Sequence, residues 1–204
     1  MANLYERFVL PTLINWAMTS GQAMQFRARH VPKARGAVLE IGIGSGLNLP
    51  FYTNDVTRFY GVDPSAELLA MAKPRAAAAR FPVELLQCAA DRIPLADASI
   101  DTVLVTWALC SIRDPVDALR EMRRILKPGG TLIFVEHGLS PDAGVRKWQN
   151  RLTPLWRRFA GGCHLNRKMD DLVRDAGFTV TDLRTEYVRG PRVFTFIFEG
   201  CARK

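Results

Sequence analysis

The sequence lacks any long hydrophobic run. No stretch approaches the roughly 20 consecutive apolar residues that span a bilayer. The most apolar N-terminal run, 8–18, is shorter and contains Pro11 and Asn15. It also lacks a small-residue cleavage site, so we interpret it as a helix of the fold rather than a signal peptide. These absences predict a cytoplasmic protein.

Cysteine is scarce and widely spaced, and no two cysteines form a C-x-x-C pair; the positions are Cys88, Cys110, Cys163 and Cys201. This spacing predicts neither a disulfide framework nor a zinc site, so no bound metal is expected. Nothing in the sequence indicates a lowered pKa for the Cys163 thiol. We therefore expect Cys163 to be buried and inert.

Acidic residues are outnumbered by basic ones, 20 to 28, which gives a net charge of +8. Such a charge favours anionic partners but does not specify a reaction. The basic residues are spread along the chain, and no recognisable nucleic-acid-binding module accompanies them. We expect no nucleic-acid partner, and a nucleic-acid-binding or modifying protein is the alternative hypothesis.

Residues 36–137 alternate between apolar runs and helical patterns. Continuous apolar runs of this kind are typical of strands that are covered on both faces, as in a parallel sheet. Five strands are predicted, at 38–41, 59–62, 83–86, 100–105 and 131–135. Helix starts are predicted between them at Ser65 and at Asp114-Pro115. This order predicts a doubly wound α/β sheet.

The remaining segments have other patterns. Residues 1–34 predict a helical arm, with apolar positions at helical spacing that include Leu4 and Phe8. Residues 140–176 predict a helical cap, with helix starts at Thr153-Pro154 and at Asn166. Residues 178–204 predict a closing hairpin, with strands 178–183 and 193–198 joined through Arg189-Gly190-Pro191. We interpret residues 1–204 as one domain, with 36–137 as its ligand-binding core.

The first predicted strand runs into a glycine-rich turn, VLEIGIGSG, in which Glu40 precedes Gly42, Gly44 and Gly46. Missing side chains at such a turn let the backbone approach a nucleotide. A dinucleotide fingerprint would place its third glycine at position 47, which is Leu47, and Glu40 is a poor neighbour for a pyrophosphate. S-adenosylmethionine has no phosphate and carries a cationic end, so it fits better than a dinucleotide.

Two further turns complete the predicted cofactor site. Asp63 ends the second strand about 20 residues after the glycine loop, where an acid can bind both ribose hydroxyls; a helix N-cap is its alternative role. After the third strand, Ala90 leaves room for an adenine ring and Asp91 can accept from its amino group. The alternative for Asp91 is a surface acid paired with Arg92.

Together, the stretches VLEIGIGSG, YGVDPS, AADRIPLADASID and ILKPGGTLIFVEH resemble class I S-adenosylmethionine-dependent methyltransferases over residues 36–137. Within that superfamily they look like the ubiquinone/menaquinone (UbiE-type) branch, and residues 156–177 resemble the methyltransferase-like thiol methyltransferases. The resemblance implies a Rossmann-like seven-stranded sheet, mostly parallel with the last strand antiparallel. It also implies S-adenosylmethionine as cofactor, held by Glu40, Gly42, Gly44, Gly46, Asp63, Ala90 and Asp91.

Methyl transfer is an in-line displacement, so the enzyme mainly holds the acceptor close to the methyl group and aligned with it. Candidates follow the fourth and fifth strands, where open α/β sheets bind ligands. Thr106 is a candidate cofactor contact. His137 is a candidate catalytic residue that orients or deprotonates an acceptor, or alternatively a structural histidine. His164 is the second catalytic candidate.

The expected acceptor is a small apolar or amphiphilic molecule: a thiol, a phenol or quinone, or a lipid amine. A cofactor-binding regulator without catalysis is a further alternative. The stretch 145–159 is basic and carries aromatic residues at helical spacing. It has two interpretations, peripheral membrane contact or a cap whose apolar side covers the site. The cap is favoured because Pro154 predicts two short helices.

Overall fold

The computed structural model describes residue 5 and residues 9–204, so Leu4 and Phe8 lie outside the described residues. Its centre is a seven-stranded sheet in the order β3-β2-β1-β4-β5-β7-β6. Strands β1 to β5 are parallel, and β7 pairs antiparallel with both β5 and β6. This arrangement confirms the predicted α/β sheet. The strands are β1 Gly36–Ile41, β2 Val56–Val62, β3 Val83–Leu86, β4 Ile100–Thr106, β5 Leu126–His137, β6 Thr179–Tyr187 and β7 Phe196–Arg203.

Six α-helices are assigned in the described part of the chain: α1 Leu10–Met18, α2 Gly21–His30, α3 Ala66–Ala77, α4 Pro115–Ile125, α5 Ala143–Phe159 and α6 Met169–Asp175. The Ser65 hydroxyl caps α3 by accepting from the Leu68 amide, as predicted. Pro115 begins α4 as predicted, although the Asp114 side chain makes no capping bond. The residue before α6 is Lys168 rather than Asn166, whose side chain instead donates to Asn150.

Successive residues of the central strands enter two different cores. On β1, Leu39 belongs to a cluster that includes residues of α4 and α6, whereas Val38 packs on the opposite face with Phe59 and Leu104. Side chains alternate between the faces of a strand, so apolar residues at every position bury both faces. The continuous apolar runs in the sequence are explained by this double burial.

The predicted last strand, 193–198, is wrong in its position. Strand β7 begins three residues later, at Phe196, and continues to Arg203. The residues before it form a turn in which the Phe194 amide donates to the Pro191 carbonyl. The strand continues through Gly200, where an added Cβ would lie 2.4 Å from the Asp182 carbonyl. Close packing inside the sheet therefore requires a glycine at this position.

The predicted helix start at Thr153-Pro154 is also wrong, because α5 runs without interruption through Pro154. Two buried polar side chains anchor this helix. The Gln149 amide donates to the Gly138 carbonyl at 3.0 Å and accepts from the Ser140 amide at 2.9 Å. The Thr153 hydroxyl donates to the Gln149 carbonyl at 2.7 Å. These bonds hold the helix across a residue that has no amide proton.

Replacing Pro154 with alanine restores a donor for the Asn150 carbonyl one turn earlier. We expect Pro154→Ala to raise the free energy of unfolding by about 1 to 3 kcal/mol. Chemical denaturation monitored by circular dichroism measures this change. Pro115→Ala is the matched control, because a proline at the first helical position costs little and its replacement brings no gain. Equal effects of the two substitutions would show that Pro154 does not weaken α5.

Candidate active site

The three glycines after β1 all have positive φ angles, of +67°, +57° and +78°. A side chain at each of them would meet different surroundings. A Cβ at Gly42 would lie 2.5 Å from Ala108, and one at Gly46 would lie 3.0 Å from Leu49. At Gly44 the nearest atom would be 3.9 Å away. The backbone at Gly44 has room beside it, whereas Gly42 and Gly46 let neighbouring segments pack, and a ligand role for all three stays a prediction.

Glu40 is fully buried within a network of polar side chains. One carboxylate oxygen accepts from the Asn48 amide at 2.9 Å, and the other accepts from the Tyr52 hydroxyl at 2.7 Å. The Asn48 carbonyl in turn accepts from Arg27 Nε at 2.9 Å, and its amide also donates to Thr106. Arg27, Asn48 and Tyr52 were not predicted, since no local motif connects them with Glu40.

Burial raises the pKa of Glu40 to about 8, although the bonds from Tyr52 and Asn48 act in the opposite direction. Removing the carboxylate from water disfavours its charge more than the two neutral donors restore it. The pKa of Arg27 is lowered, again chiefly by burial. A cationic ligand group beside Glu40 would stabilise the ionised carboxylate.

Asp63 lies at the end of β2 and connects it to the glycine loop. Its carboxylate accepts from the Gly44 amide at 3.0 Å and from the Ser65 amide at 2.9 Å. Burial raises the pKa of Asp63, and these two backbone donors lower it. The helix N-cap is Ser65, so the alternative role of Asp63 as the cap of α3 is not what the structure shows.

Most of the predicted cofactor residues on β1 and β4 line one cleft of about 490 Å³, which includes open solvent at its mouth. Glu40, Gly42, Gly44 and Thr106 are among its walls. Trp107 also lines it with a positive φ of 52°, a strained backbone of the kind found at ligand sites. Helix α1 contributes Ile14, Asn15 and Met18, so the helical arm covers part of the cleft.

The two predicted adenine contacts lie elsewhere. Ala90 packs partly buried against the main core, and Asp91 is exposed in the segment between β3 and β4. Neither residue lines the cleft, and neither do Gly46 and Asp63. Their roles toward a cofactor stay predictions.

Glu136 fixes the loop that follows β4. Its buried carboxylate accepts from the amides of Ala108 at 2.6 Å, Leu109 at 2.8 Å and Cys110 at 3.3 Å. Burial raises its pKa to about 7, against the effect of these donors. The next residue, His137, ends β5, so both side chains lie at the edge of the sheet where ligands bind.

His137 does not stand alone. Its Nε2 lies 3.0 Å from Cys163 Sγ, and the indole nitrogen of Trp156 donates to the same sulfur at 3.2 Å. The pKa of the Cys163 thiol is lowered, first by the neighbouring Cys110 thiol and then by His137. No local motif indicated these contacts: the fold places an imidazole and an indole against the Cys163 sulfur.

The side chain of His164 contacts the loop after β4 and not the side chain of His137. Its ring Nδ1 lies 3.2 Å from the Cys110 carbonyl oxygen, to which its own backbone amide also donates at 2.8 Å. Burial and the nearby Arg167 lower its pKa. Arg167 donates to the Ile112 carbonyl and holds the other end of this loop. The two predicted catalytic histidines therefore contact different segments: His137 contacts the segment after α5, and His164 contacts the loop after β4.

Helix α5 presents its apolar residues to solvent. Trp148, Leu155 and Phe159 are 55%, 57% and 60% exposed, whereas the buried residues of this helix are the polar Gln149 and Thr153. The predicted cap with an apolar inner face is therefore wrong in its orientation. Within residues 9–204, no helix has the length and hydrophobicity needed to cross a membrane.

The sequence matches the family model for the methyltransferase domain over residues 39–134. Residues 39–134 thus belong to the methyltransferase-domain family. This confirms the resemblance, and the family implies S-adenosylmethionine as the cofactor. The chain is similar in fold to a putative methyltransferase from Bacillus halodurans, with a TM-score of 0.71 and 18% identity over 90% of this chain and 99% of that one.

Three curated relatives cover much of the chain. A thiol S-methyltransferase, TMT1B of Rattus norvegicus, is 33% identical over 72% of this chain and 61% of its own length. A phosphatidylethanolamine N-methyltransferase of Cereibacter sphaeroides is 36% identical over 59% and 61%. The ubiquinone/menaquinone C-methyltransferase UbiE of Rubrivivax gelatinosus is 32% identical over 68% and 55%. The chain thus spans about three fifths of these relatives.

The pKa of Glu40 predicts a specific dependence of stability on pH. Its pKa of about 8 in the folded protein exceeds the ordinary 4.5. Between pH 4.5 and pH 8 the folded protein therefore holds a proton that the unfolded chain has lost. The stabilisation from this proton is complete below pH 4.5 and is lost as the pH rises through 8. We expect Glu40→Gln to remove this loss, which is on the order of 4 kcal/mol.

Urea denaturation at about pH 5 and about pH 9 measures the effect as a difference between wild type and variant. Glu136 contributes in the same direction in both proteins and cancels in the comparison. Glu84→Gln, at an exposed acid on β3, is the matched control and should follow the wild type. Parallel curves for wild type and Glu40→Gln would show that Glu40 is not the titrating group.

Proposed function

We propose that the protein transfers the methyl group of S-adenosylmethionine to a small apolar or amphiphilic acceptor. The observation that carries this proposal is the cleft at the carboxyl ends of β1 and β4, where a buried acid, an open glycine backbone and an arginine meet. A ligand with an ammonium, a carboxylate and a ribose matches these three groups. The sulfonium of the bound cofactor would supply the activated methyl group.

The described residues fit such a cofactor. The space beside Gly44 admits a ligand against the backbone, and Glu40 has a raised pKa that a nearby ammonium would lower. The planar guanidinium of Arg27 lines the same cleft and suits a carboxylate. Asp63, held by two backbone amides, would accept from the ribose hydroxyls. Thr106 completes this wall through its bond from Asn48.

The acceptor side of the site lies over the ends of β4 and β5. There the loop after β4 is fixed by Glu136, and His137, His164 and Trp156 surround Cys163 and Cys110. We propose that His137 and His164 belong to the acceptor site. A thiol is our first acceptor class, because the thiol S-methyltransferase relative aligns over 72% of this chain. A quinone precursor and a lipid amine follow, from the other relatives.

An amphiphilic acceptor implies access to a lipid surface, and α5 supports this interpretation. Its exposed Trp148, Leu155 and Phe159 stand among five basic residues, and the helix contains no acid. A basic helix with exposed apolar residues binds anionic membrane surfaces. The end of α5 also lies beside α1, since a Cβ at Gly161 would be 3.4 Å from Leu10. We propose peripheral membrane contact through residues 145–159.

Cofactor binding tests the first part of this proposal. Asp63→Asn keeps an acceptor for one ribose hydroxyl but loses the charge, so we expect at least a roughly 10-fold weaker affinity for S-adenosylhomocysteine by calorimetry. Glu84→Gln is the matched control. Asp91→Asn, measured in parallel, tests the predicted adenine contact. Undiminished binding by Asp63→Asn would remove Asp63 from the cofactor site.

Methyl transfer itself is measured with labelled cofactor and one acceptor from each class. We expect turnover with an apolar thiol that exceeds turnover with a quinone precursor or a phospholipid amine. Cofactor binding without turnover for any of the three would contradict the proposed activity and favour a regulator.

Membrane contact predicts binding to vesicles that contain anionic lipid. Wild type should sediment with vesicles of about 30% phosphatidylserine and be released by salt, because its basic residues meet lipid phosphates. Trp148→Ser combined with Phe159→Ser should reduce the bound fraction severalfold. Leu183→Ser, at an exposed apolar residue on β6, is the control. Equal sedimentation of all three proteins would refute contact through α5.

A further inference from the structure

Two cysteines and one histidine converge on a single point beside the sheet. The ligand atoms of Cys110, His137 and Cys163 all lie within 4.8 Å of one another. Among residue 5 and residues 9–204, this is the one group of three such side chains close enough to share an ion. The residues come from three segments that are far apart in sequence: the loop after β4, the end of β5 and the loop after α5.

We propose that Cys110, His137 and Cys163 form a binding site for a thiophilic divalent cation, with Zn²⁺ as the expected ion. Two thiolates and one imidazole are a ligand set that zinc prefers over harder cations. Zinc bonds of about 2.3 Å to sulfur and about 2.1 Å to nitrogen require ligand atoms about 3.5 to 3.8 Å apart. The observed 3.0 Å between His137 and Cys163 needs only a small opening of the pair.

The surroundings hold these ligands in place. The indole N–H of Trp156 points at Cys163 Sγ at 3.2 Å, and the Ser111 hydroxyl lies 3.6 Å from Cys110 Sγ. Outer hydrogen bonds of this kind orient metal ligands and tune their strength. The backbone amide of Cys110 donates to the Glu136 carboxylate, which fixes the backbone at Cys110. The two cysteine ligands are therefore held by their surroundings before any ion arrives.

The charges nearby are mixed. Arg167 lies close to both cysteines and opposes a cation, whereas the buried Glu136 carboxylate favours one. Arg167 is engaged with the Ile112 and Leu109 carbonyls, which directs its charge toward the loop. Two thiolates neutralise a divalent ion by themselves, so the site does not depend on Glu136. Three protein ligands leave the fourth tetrahedral position for water or a small exogenous ligand.

An ion at this point would connect the loop after β4, strand β5 and the segment after α5. Binding to the folded chain alone would stabilise it by mass action. This gives a readout that is independent of methyl transfer, so the metal site and the proposed activity can fail separately.

The test uses the reduced, metal-free 204-residue chain with Zn²⁺ and, as a spectroscopic probe, Co²⁺. We expect one zinc per chain after gel filtration, a raised melting temperature, and a sulfur-to-cobalt charge-transfer band typical of thiolate ligation. Cys110→Ser, Cys163→Ser and His137→Ala should each weaken binding at least about 100-fold. Cys201→Ser, a half-buried cysteine on β7, is the matched control and should bind as wild type does.

Binding of S-adenosylhomocysteine by each variant checks that it is folded. Less than half an equivalent of zinc in the reduced wild type would overturn the proposal. So would a cobalt spectrum without the charge-transfer band, or equal zinc affinity of Cys110→Ser and Cys201→Ser.

Discussion

A buried carboxylate at the carboxyl end of a strand organises each half of the site. Glu40, near the end of β1, gathers side-chain donors from Asn48 and Tyr52, which follow the glycine loop. Glu136, near the end of β5, gathers backbone amides from the loop after β4. Parallel strands end at one edge of the sheet, so both acids lie in the layer where ligands bind. A buried acid is tolerated only because its carboxylate oxygens accept hydrogen bonds.

These two acids use different kinds of hydrogen-bond donor. Glu40 accepts from side chains, whose network extends to Arg27 and Thr106 and forms a polar wall. Glu136 accepts from three successive backbone amides and thereby fixes the loop after β4. The residue before these three amides is Trp107, which has a strained backbone. Glu40 therefore belongs to a polar side-chain network, whereas Glu136 holds a stretch of backbone.

Helix α5 has two faces of different character. The inner face of this helix is polar and is fixed by Gln149 and Thr153 to the chain beyond β5. The outer face carries exposed aromatic residues and basic residues. A helix with this inverted pattern is held by hydrogen bonds rather than by burial of its apolar side, and that leaves Trp156 able to reach Cys163 from its edge.

The sequence by itself determined the sheet and the cofactor class. Apolar runs buried on both faces, the glycine loop after β1 and Asp63 after β2 are local patterns, and local patterns can be read along the chain. Only the tertiary structure decided which residues meet across it. Tyr52 on Glu40, Gln149 under α5, and Cys163 beside His137 and Cys110 join distant segments. Such contacts depend on packing, to which neither periodicity nor spacing along the chain gives access.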